Sequence, residues 1–535
     1  MEAVQAAQAA QTARNPRRWL ILIVLCLSTL ALIIDNMALT VAIPSMSEDL
    51  GAGAQDTQWI LESYMLVFAG LLLTAGSLSD RFGRRKVMII GLASFGLSSL
   101  AATFAATPGQ LIAARVVMGI GGALVMPSTL SILITVFDDD ERRKAMAAWS
   151  AVAMLGLVGG PVLGGALIAW FSWSAIFFIN VPIAAVAILA AVLLMPESKG
   201  PWQKPDPVGA ILSVIGMTAL VWTINELPKH GLTAPATLTT AATAVAALAA
   251  FISWEIRTGS PMVPLSLFRN RNFTGGSLSL TLVQIGNGGL LLILTQYLQS
   301  VLGYSPTEAG LAFIPLAVAS LLFNTLAATL GAKIGNRFLA VSGLVVSAIG
   351  FAVLATLSAG DGFALLAVAL FLLGAGGGLA APAAIAALMA TVPEEQAGVG
   401  SALNDTIQQL GAALGVAILG SVVTSTFANS MPAGTPESAT HSIGDALDTA
   451  AKTHDTGLVD SARDAFSSAM STGFTVAAAA VLAAAALALF VMRDSKPTNE
   501  TTPTTNPEPE PTNQTETTTE TKSETETERD LVTTA

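Results

Sequence analysis

Four ionisable side chains lie inside long apolar stretches of this sequence. Asp35 stands within "ALIIDNMALTVAIP", and Glu62, Arg115 and Asp405 stand in later stretches of the same kind. A charge in hydrocarbon has a high energetic cost unless it is paired, hydrated or neutralised by a proton. Such groups can hold a proton, bind a cation or pair with one another, so the sequence predicts proton or cation chemistry inside a membrane.

The stretches that hold these residues are long enough to be membrane-spanning helices. Of the 535 residues, 53% are hydrophobic and only 11% are charged, whereas soluble proteins have about 25% charged residues. A helix needs roughly 20 apolar residues to cross a bilayer. We predict an all-α polytopic membrane protein with fourteen spans, near 19–46, 57–79, 87–106, 110–136, 147–170, 174–195, 208–226, 234–254, 273–302, 309–331, 338–358, 362–391, 398–427 and 472–492.

Basic residues predict the orientation of these spans. If the N-terminus is cytoplasmic, all but four of the 25 Lys and Arg residues lie on the cytoplasmic side, as the positive-inside rule requires. The even number of spans then returns the C-terminus to the cytoplasm. The apolar run from Trp19 is longer than a signal-peptide core and has no obvious cleavage site, so we expect it to remain as the first span.

The remaining composition excludes several kinds of site. Most of the net charge of −11 lies in the Thr-, Glu- and Pro-rich segment 493–535, which we expect to be a disordered cytoplasmic tail. The single cysteine, Cys26, excludes an intramolecular disulfide. Because all three histidines lie outside the apolar runs, no His-based metal site is suggested, and we predict no metal site. We also expect no cofactor. Segment 428–470 is predicted to be a polar external loop, and 1–18 a cytoplasmic segment.

An internal repeat organises the spans. "GIGGALVMP" from Gly119 and "GAGGGLAAP" from Gly374 fit one pattern at an offset of 255 residues, and glycines of the fifth and thirteenth spans repeat at the same offset. We therefore predict two six-helix bundles, 19–195 and 273–492, with two inserted linker helices at 208–254. Transporters built from repeats of this kind bind substrate near the membrane midplane, between their halves.

Depth estimates place three of the charged residues together. At 1.5 Å per helical residue, Asp35 lies about 24 Å from the cytoplasmic end of its span, and Glu62 and Arg115 lie near the outer ends of theirs. One Arg beside two carboxylates leaves one acid for proton exchange. Two alternatives stay open: Arg115 with one carboxylate could be a static ion pair, and Glu62 could be interfacial.

The fourth charged residue belongs to the other half of the repeat. Asp405 lies about 10 Å from the cytoplasmic end of the thirteenth span. Asp405 could take part in binding protons or substrate there, or its side chain could reach water at the membrane surface.

Glycine motifs predict close helix packing and a tight turn. In "GLVGGPVLGG", Gly156, Gly160 and Gly164 share one helical face, and Pro161 removes a backbone donor. The loop "GSLSDRFGRRK" contains Gly76, Asp80, Arg81, Gly83 and Arg84. Gly83 permits the reversal between two spans, and Asp80 can pair with an Arg or with the end of a neighbouring helix. The charges alone would also suit a membrane-surface anchor.

With these motifs the chain resembles the major facilitator superfamily over residues 19–492. The loop matches the signature between its second and third spans, "RVVMGIGGA" with Arg115 and Gly119 looks like its fourth-span motif, and "GLVGGPVLGG" looks like its antiporter motif. "IDNMALTVAIP" is similar to the first-span motif of its fourteen-span drug:proton antiporters.

The resemblance implies a multi-pass exporter of a bacterial cytoplasmic membrane, driven by proton influx. It implies that Asp35 takes part in proton or cation coupling, that Arg115 assists proton transfer and that Asp80 stabilises one transport state. Acids matching Glu62 and Asp405 in some relatives suggest a lipophilic cation as substrate. We expect a monomer whose partners are that small molecule, protons and membrane lipids, and neither nucleic acid binding nor enzymatic activity.

The second repeat departs from the first at the functional positions. Leu290, Leu370 and Ala332 stand where the first repeat has Asp35, Arg115 and Asp80, and Val416 replaces the antiporter proline. The charged machinery is thus predicted to be concentrated in the first half. Two other functions stay open: a proton-coupled importer of a small metabolite or siderophore, and a membrane sensor or enzyme that transports nothing.

Overall fold

A computed structural model describes residues 16–200, 206–230, 234–358, 362–432, 435–436 and 439–491. In these ranges the chain is helical and contains no β-strand. The predicted tail 493–535 and nearly all of the predicted N-terminal segment 1–18 lie outside them.

A helix occupies the position of every predicted span. We number these helices α1–α14 so that each label matches its span. Their bounds are α1 Arg18–Leu50, α2 Ala54–Phe82, α3 Arg84–Thr103, α4 Pro108–Val136, α5 Asp139–Trp170, α6 Ala175–Leu194, α7 Pro207–His230, α8 Pro235–Arg257, α9 Arg271–Gln296, α10 Ile314–Ile334, α11 Asn336–Ala355, α12 Phe363–Met389, α13 Ala397–Ser430 and α14 Thr456–Val491.

Length and apolarity support the membrane assignment. Among the described residues, thirteen helices are long and apolar enough to cross a membrane. In α5 the corresponding apolar stretch is the shorter segment Gly159–Trp170. The prediction of an all-α polytopic membrane protein is confirmed.

Local sequence explains where several helices begin and end. The Thr107 hydroxyl accepts the backbone N–H of Gln110 at the start of α4, as expected of an N-cap. Gly83 ends α2 and Gly335 ends α10 with φ of 113° and 85°. Residues with a Cβ rarely adopt these angles, so glycine allows the same tight reversal in both repeats.

The predicted external loop 428–470 is corrected by the structure. Helix α13 continues to Ser430, α14 already begins at Thr456, and a further helix covers Ile443–Thr453. That helix is amphipathic: Ile443, Ala446 and Ala450 are buried. The polar composition obscured this pattern, because a helix with one narrow apolar stripe has low overall hydrophobicity.

Helix crossings repeat in the two halves. A Cβ added to Gly121 of α4 would lie 2.8 Å from the carbonyl oxygen of Gly91 in α3. In the second repeat, a Cβ added to Gly376 of α12 would lie 2.5 Å from the Gly343 carbonyl oxygen of α11. Helices α7 and α8 form a hairpin, and α7 packs against α2 and α13. The exact division into bundles at 19–195, 208–254 and 273–492 stays a prediction.

Candidate functional site

Asp35 and Arg115 form an ion pair inside the first repeat. Arg115 Nη1 lies 2.6 Å from Asp35 Oδ2, and the two side chains are 1% and 0% exposed. Asp35 is in the middle of α1 and Arg115 is two turns into α4, so the pair joins two helices. The prediction that these residues share one depth is confirmed by this contact.

Three neutral groups also support the Arg115 guanidinium. It donates to the backbone oxygen of Ile60 at 3.3 Å and to Asn36 Oδ1 at 3.2 Å, and it lies 4.4 Å from the centre of the Tyr64 ring. The ring face attracts a cation. Arg115 therefore keeps partners if Asp35 loses its charge.

Asn180 of α6 completes the surroundings of Asp35. Its amide Nδ2 donates to Asp35 Oδ1 at 2.7 Å, and its own Oδ1 is buried without a hydrogen-bond partner. An amide can rotate to present either its donor or its acceptor. With the amide reversed, that acceptor would receive a hydrogen bond from a protonated Asp35. Sequence reasoning missed this residue, whose signal was an amide within the apolar sixth span.

Glu62 lies on a different face of α2. Gln58 Nε2 donates to Glu62 Oε1 at 3.1 Å and to Glu226 Oε1 of α7 at 3.3 Å. The Trp59 and Trp222 rings pack beside these groups, 4.9 Å apart. Thus Glu62 is half-buried where α2 meets the inserted hairpin, at the end of α2 that was predicted to be external.

Asp405 is buried in α13. It is 4% exposed, its Oδ1 accepts a hydrogen bond from Asn404 at 3.1 Å, and its Oδ2 has no partner. The hydroxyls of Ser401 and Thr406 are likewise buried and unpaired. This geometry does not fit the alternative in which Asp405 reaches water at the membrane surface. It presents several polar atoms that a proton, a cation or water could satisfy.

Asp80 joins the two repeats at the ends of α2 and α13. Its oxygens accept the backbone N–H groups of Gly398 and Val399 at 2.8 and 2.9 Å. These N–H groups belong to the first turn of α13, where the helix dipole favours a negative charge. The same carboxylate accepts two hydrogen bonds from Arg84, and Arg84 also donates to the Glu394 carbonyl at 2.6 Å.

We call Asp80, Arg84, Glu394, Gly398 and Val399 the latch. It connects the halves on the predicted cytoplasmic side, with a further bond from Arg142 to Glu394 at 3.1 Å. Gly76 permits this contact, because a Cβ there would lie 2.5 Å from the Gly398 carbonyl oxygen. Arg81 also interacts electrostatically with Asp206, which directly precedes α7.

The remaining motif glycines bring the functional helices together. A Cβ on Gly119 would lie 2.8 Å from the Tyr64 carbonyl oxygen, so this glycine lets α4 approach α2 beside Arg115. On α5, Gly156, Gly160 and Gly164 contact α1 at Ile33, Met37 and Ala38. Pro161 lies inside α5, which continues through it.

Comparisons with known proteins agree with this architecture. The family model described as Major Facilitator Superfamily matches residues 25–416 and, in a second match, 276–524. The "Multidrug efflux pump LfrA" of Mycolicibacterium smegmatis is 37% identical over 486 residues, which cover 89% of this chain and 96% of that protein. The "Methyl viologen resistance protein SmvA" of Salmonella typhimurium is 34% identical over 84% of this chain and 93% of its own length.

Two further comparisons extend the range of relatives. The "Tetracenomycin C resistance and export protein" of Streptomyces glaucescens is 30% identical, covering 89% of this chain and 92% of that protein. Among solved structures, the human organic anion transporter MFSD10 (TETRAN) superimposes with a TM-score of 0.62 at 16% identity. It covers 88% of this chain and 100% of its own. At this identity the last comparison supports the fold alone.

Proposed function

Since this chain belongs to the Major Facilitator Superfamily, we propose that it is a proton-coupled antiporter that exports lipophilic cationic drugs or antibiotics. The chain is a multi-pass bacterial membrane protein and a transporter. The relatives named for multidrug efflux, methyl viologen resistance and antibiotic export support the drug class. We further propose that it works as a monomer without a cofactor and that the proton gradient supplies the energy.

The buried Asp35–Arg115 pair carries the proposal of proton coupling. In the ionised pair, Asp35 holds no proton. A proton arriving from the predicted external side would neutralise Asp35 and weaken its attraction to Arg115. The guanidinium would remain supported by Ile60, Asn36 and Tyr64, so the proton can bind without leaving a buried cation unsolvated.

Asp405 supports the proposal of a cationic substrate. Its unpartnered oxygen and the neighbouring unpaired hydroxyls lie in the second repeat, whereas Asp35 lies in the first. A lipophilic cation between the halves could satisfy this carboxylate, and a proton could replace the cation there. Exchange requires that the two ligands favour different conformations of the protein.

The latch supports alternating access. It fastens the two halves on the predicted cytoplasmic side while its ionic and dipolar contacts persist. Export requires these contacts to break so that substrate can enter from the cytoplasm. A binding site that is exposed to one side at a time prevents free leakage of protons.

Reconstituted protein tests this function directly. In proteoliposomes with an imposed proton gradient, we expect ethidium, a lipophilic cation, to move against the proton flux, with both fluxes recorded by fluorescent dyes. Asp405→Asn should reduce ethidium transport more than it reduces transport of an uncharged drug. Ethidium moving in the same direction as protons would identify a symporter, and binding without movement would identify a sensor.

A further inference from the structure

A second acidic pair lies on the inserted helices, outside the cluster described above. Glu255 is in the last turn of α8, and Asp206 directly precedes α7. Glu255 is only 4% exposed. Its Oε2 accepts the backbone N–H of Val263 at 2.9 Å, whereas its Oε1 is buried without a hydrogen-bond partner.

The unpartnered oxygen lies close to the other carboxylate. A Cβ placed on Gly209 would lie 2.8 Å from Glu255 Oε1 and 2.5 Å from Asp206 Oδ2. Both oxygens therefore lie beside Gly209, their separation cannot exceed the sum of those distances, and the Glu255 side chain interacts with Asp206. Asp206 is fixed in this position because it accepts the Gly209 N–H at 2.8 Å and the Trp254 indole N–H at 2.9 Å.

Two ionised carboxylates cannot satisfy each other in this arrangement. Both are hydrogen-bond acceptors only, and their like charges repel, which disfavours the charged form of the buried Glu255. A proton on Glu255 Oε1 removes the repulsion and turns that oxygen into a donor toward Asp206. The charged groups that interact here are Glu255 on α8, Asp206 before α7 and Arg81 on α2, which attracts the negative charge of Asp206.

We propose that Asp206 and Glu255 form a proton-binding site that shares one proton and holds the loop 259–264 against the latch. In this site Glu255 Oε1 carries the proton and donates it to Asp206 as a hydrogen bond, and Arg81 interacts electrostatically with Asp206. This site lies at the predicted cytoplasmic ends of α7 and α8, and its occupancy is set by the pH on that side.

A cavity lies between the latch and the loop that Glu255 holds. It has a volume of about 70 Å³ and lies between α2, the loop and the start of α13; its lining includes Asp80, Arg81, Met262 and Val399. Glu255 fixes this loop through Val263, and Arg81 contributes to the opposite wall. Loss of the shared proton therefore separates the carboxylates and displaces the loop from the latch. The inserted hairpin thereby becomes a pH-responsive element of the transporter.

Distance measurements test the coupling without any transported substrate. Spin labels are placed at Lys86→Cys and Gly259→Cys, with Cys26→Ser to remove the native thiol, in full-length protein in nanodiscs. We expect one short distance at low pH and a longer one at high pH, with the ratio of the two populations changing about tenfold per pH unit. Glu255→Gln should keep the short distance throughout, because its amide donates to Asp206 at every pH.

Two results would overturn the proposal. One is a Glu255→Gln protein with the same pH response as the parent; the other is a parent protein with no response between about pH 5 and 9. Glu308→Gln, which removes a carboxylate from the other end of the molecule, is the matched control and should respond like the parent.

Infrared spectroscopy separates a shared proton from a structural role. On raising the pH, the parent should lose the absorption band of a protonated carboxyl group. Glu255→Gln should lack the part of this band that comes from the pair, and Asp206→Asn should shift that part, because either change removes one member of the pair. If both variants retain the parent band unchanged, no proton is shared here. Both measurements are independent of drug export, so the proposed function can fail while this site stands.

Discussion

The two repeats of this chain share their helix crossings but differ in their buried charges. Gly156 and Gly160 of α5 contact α1, and their counterparts Gly411 and Gly415 of α13 contact α9 in the same way. At the positions that match Asp35 and Arg115, the second repeat has Leu290 and Leu370, which are 3% and 0% exposed. The apolar residues thus occupy sites as buried as those of the ion pair.

This difference indicates what each feature contributes. Close crossings are present in both halves because both must pack helix against helix in lipid, where small residues permit backbone approach. The ion pair is present in only one half, so packing alone does not require it. A buried ion pair is weak evidence for stability, since apolar residues of similar volume often stabilise as well or better. Its retention in α1 and α4 is therefore best explained by the proton chemistry proposed above.

The largest expected effect comes from removing the proton-binding group of the first repeat. Asp35→Asn keeps a similar shape but cannot take up a proton in the exchange range. We expect proton-driven ethidium export in proteoliposomes to fall by about 100-fold or more, the typical contribution of a positioned proton-transfer group. Glu48→Gln, an exposed change on the same helix, should leave export unchanged. Undiminished export by Asp35→Asn would show that the asymmetry between the repeats is unrelated to coupling.

The next variants replace the charged residues of the first repeat with the leucines found at the matching positions of the second repeat. Arg115→Leu leaves Asp35 as an uncompensated buried carboxylate, and breaking such a pair costs about 3–5 kcal/mol. The double variant Asp35→Leu with Arg115→Leu has the apolar pair found in the second repeat and should recover most of that stability without recovering export. Thermal unfolding in detergent measures the stability, and proteoliposome export measures the function. A double variant as unstable as the single one would mean that the first repeat needs its charges to fold.

Much of this comparison was accessible from the sequence, because it depends on spacing. Apolar length located the helices, and the repeat offset identified Leu290 and Leu370 as counterparts. The rise per residue placed Asp35 level with Arg115, and the 2.6 Å contact confirms it.

The rotation of α2 about its axis and the backbone partners of Asp80 could not be predicted from the sequence. Glu62 is two residues from both Ile60 and Tyr64, which is about 200° around the helix, so it cannot face Arg115 together with them. No sequence pattern indicated which of these faces would meet α4. The partners of Asp80 are backbone N–H groups, which every residue except proline has, and only the packing of α13 against α2 identifies them.

A smaller effect is expected at the close helix crossings that the two repeats share. Gly160→Ala and Gly415→Ala insert a methyl group at matching crossings, where overpacking typically costs about 1–3 kcal/mol. The two costs should be similar, because the nearest atom is the Ile285 carbonyl oxygen for Gly415 and the Met37 Cβ for Gly160, and neither atom can move without its backbone. Thermal unfolding measures both.

Neighbouring glycines provide matched controls for these crossings. A Cβ on Gly159 or Gly420 would meet nothing within 4 Å, and Ala is favoured over Gly in a helix by about 1 kcal/mol. These two variants should be neutral or slightly stabilised. Equal losses in crossing and control variants would show that the repeated glycines serve flexibility and not close packing.

The smallest expected effect concerns the latch, which uses an acid that the second repeat replaces with Ala332. Asp80→Asn keeps an oxygen that can accept one N–H of the α13 first turn but loses the charge that interacts with Arg84 and with the helix dipole. Hydrogen bonds to charged groups contribute about 1.5–3 kcal/mol and neutral ones about 1 kcal/mol, so the latched population should fall roughly tenfold relative to the open one. Spin labels at Lys86→Cys and Phe338→Cys, on the predicted cytoplasmic ends of α3 and α11, would show a longer distance gaining population.

Asp35 is far from this surface, and Asp35→Asn in the same labelled protein should leave the latched distance itself unchanged. If Asp80→Asn leaves the distance distribution as it was, the two repeats are held together on this side by packing around Gly76 and not by the acid that distinguishes them.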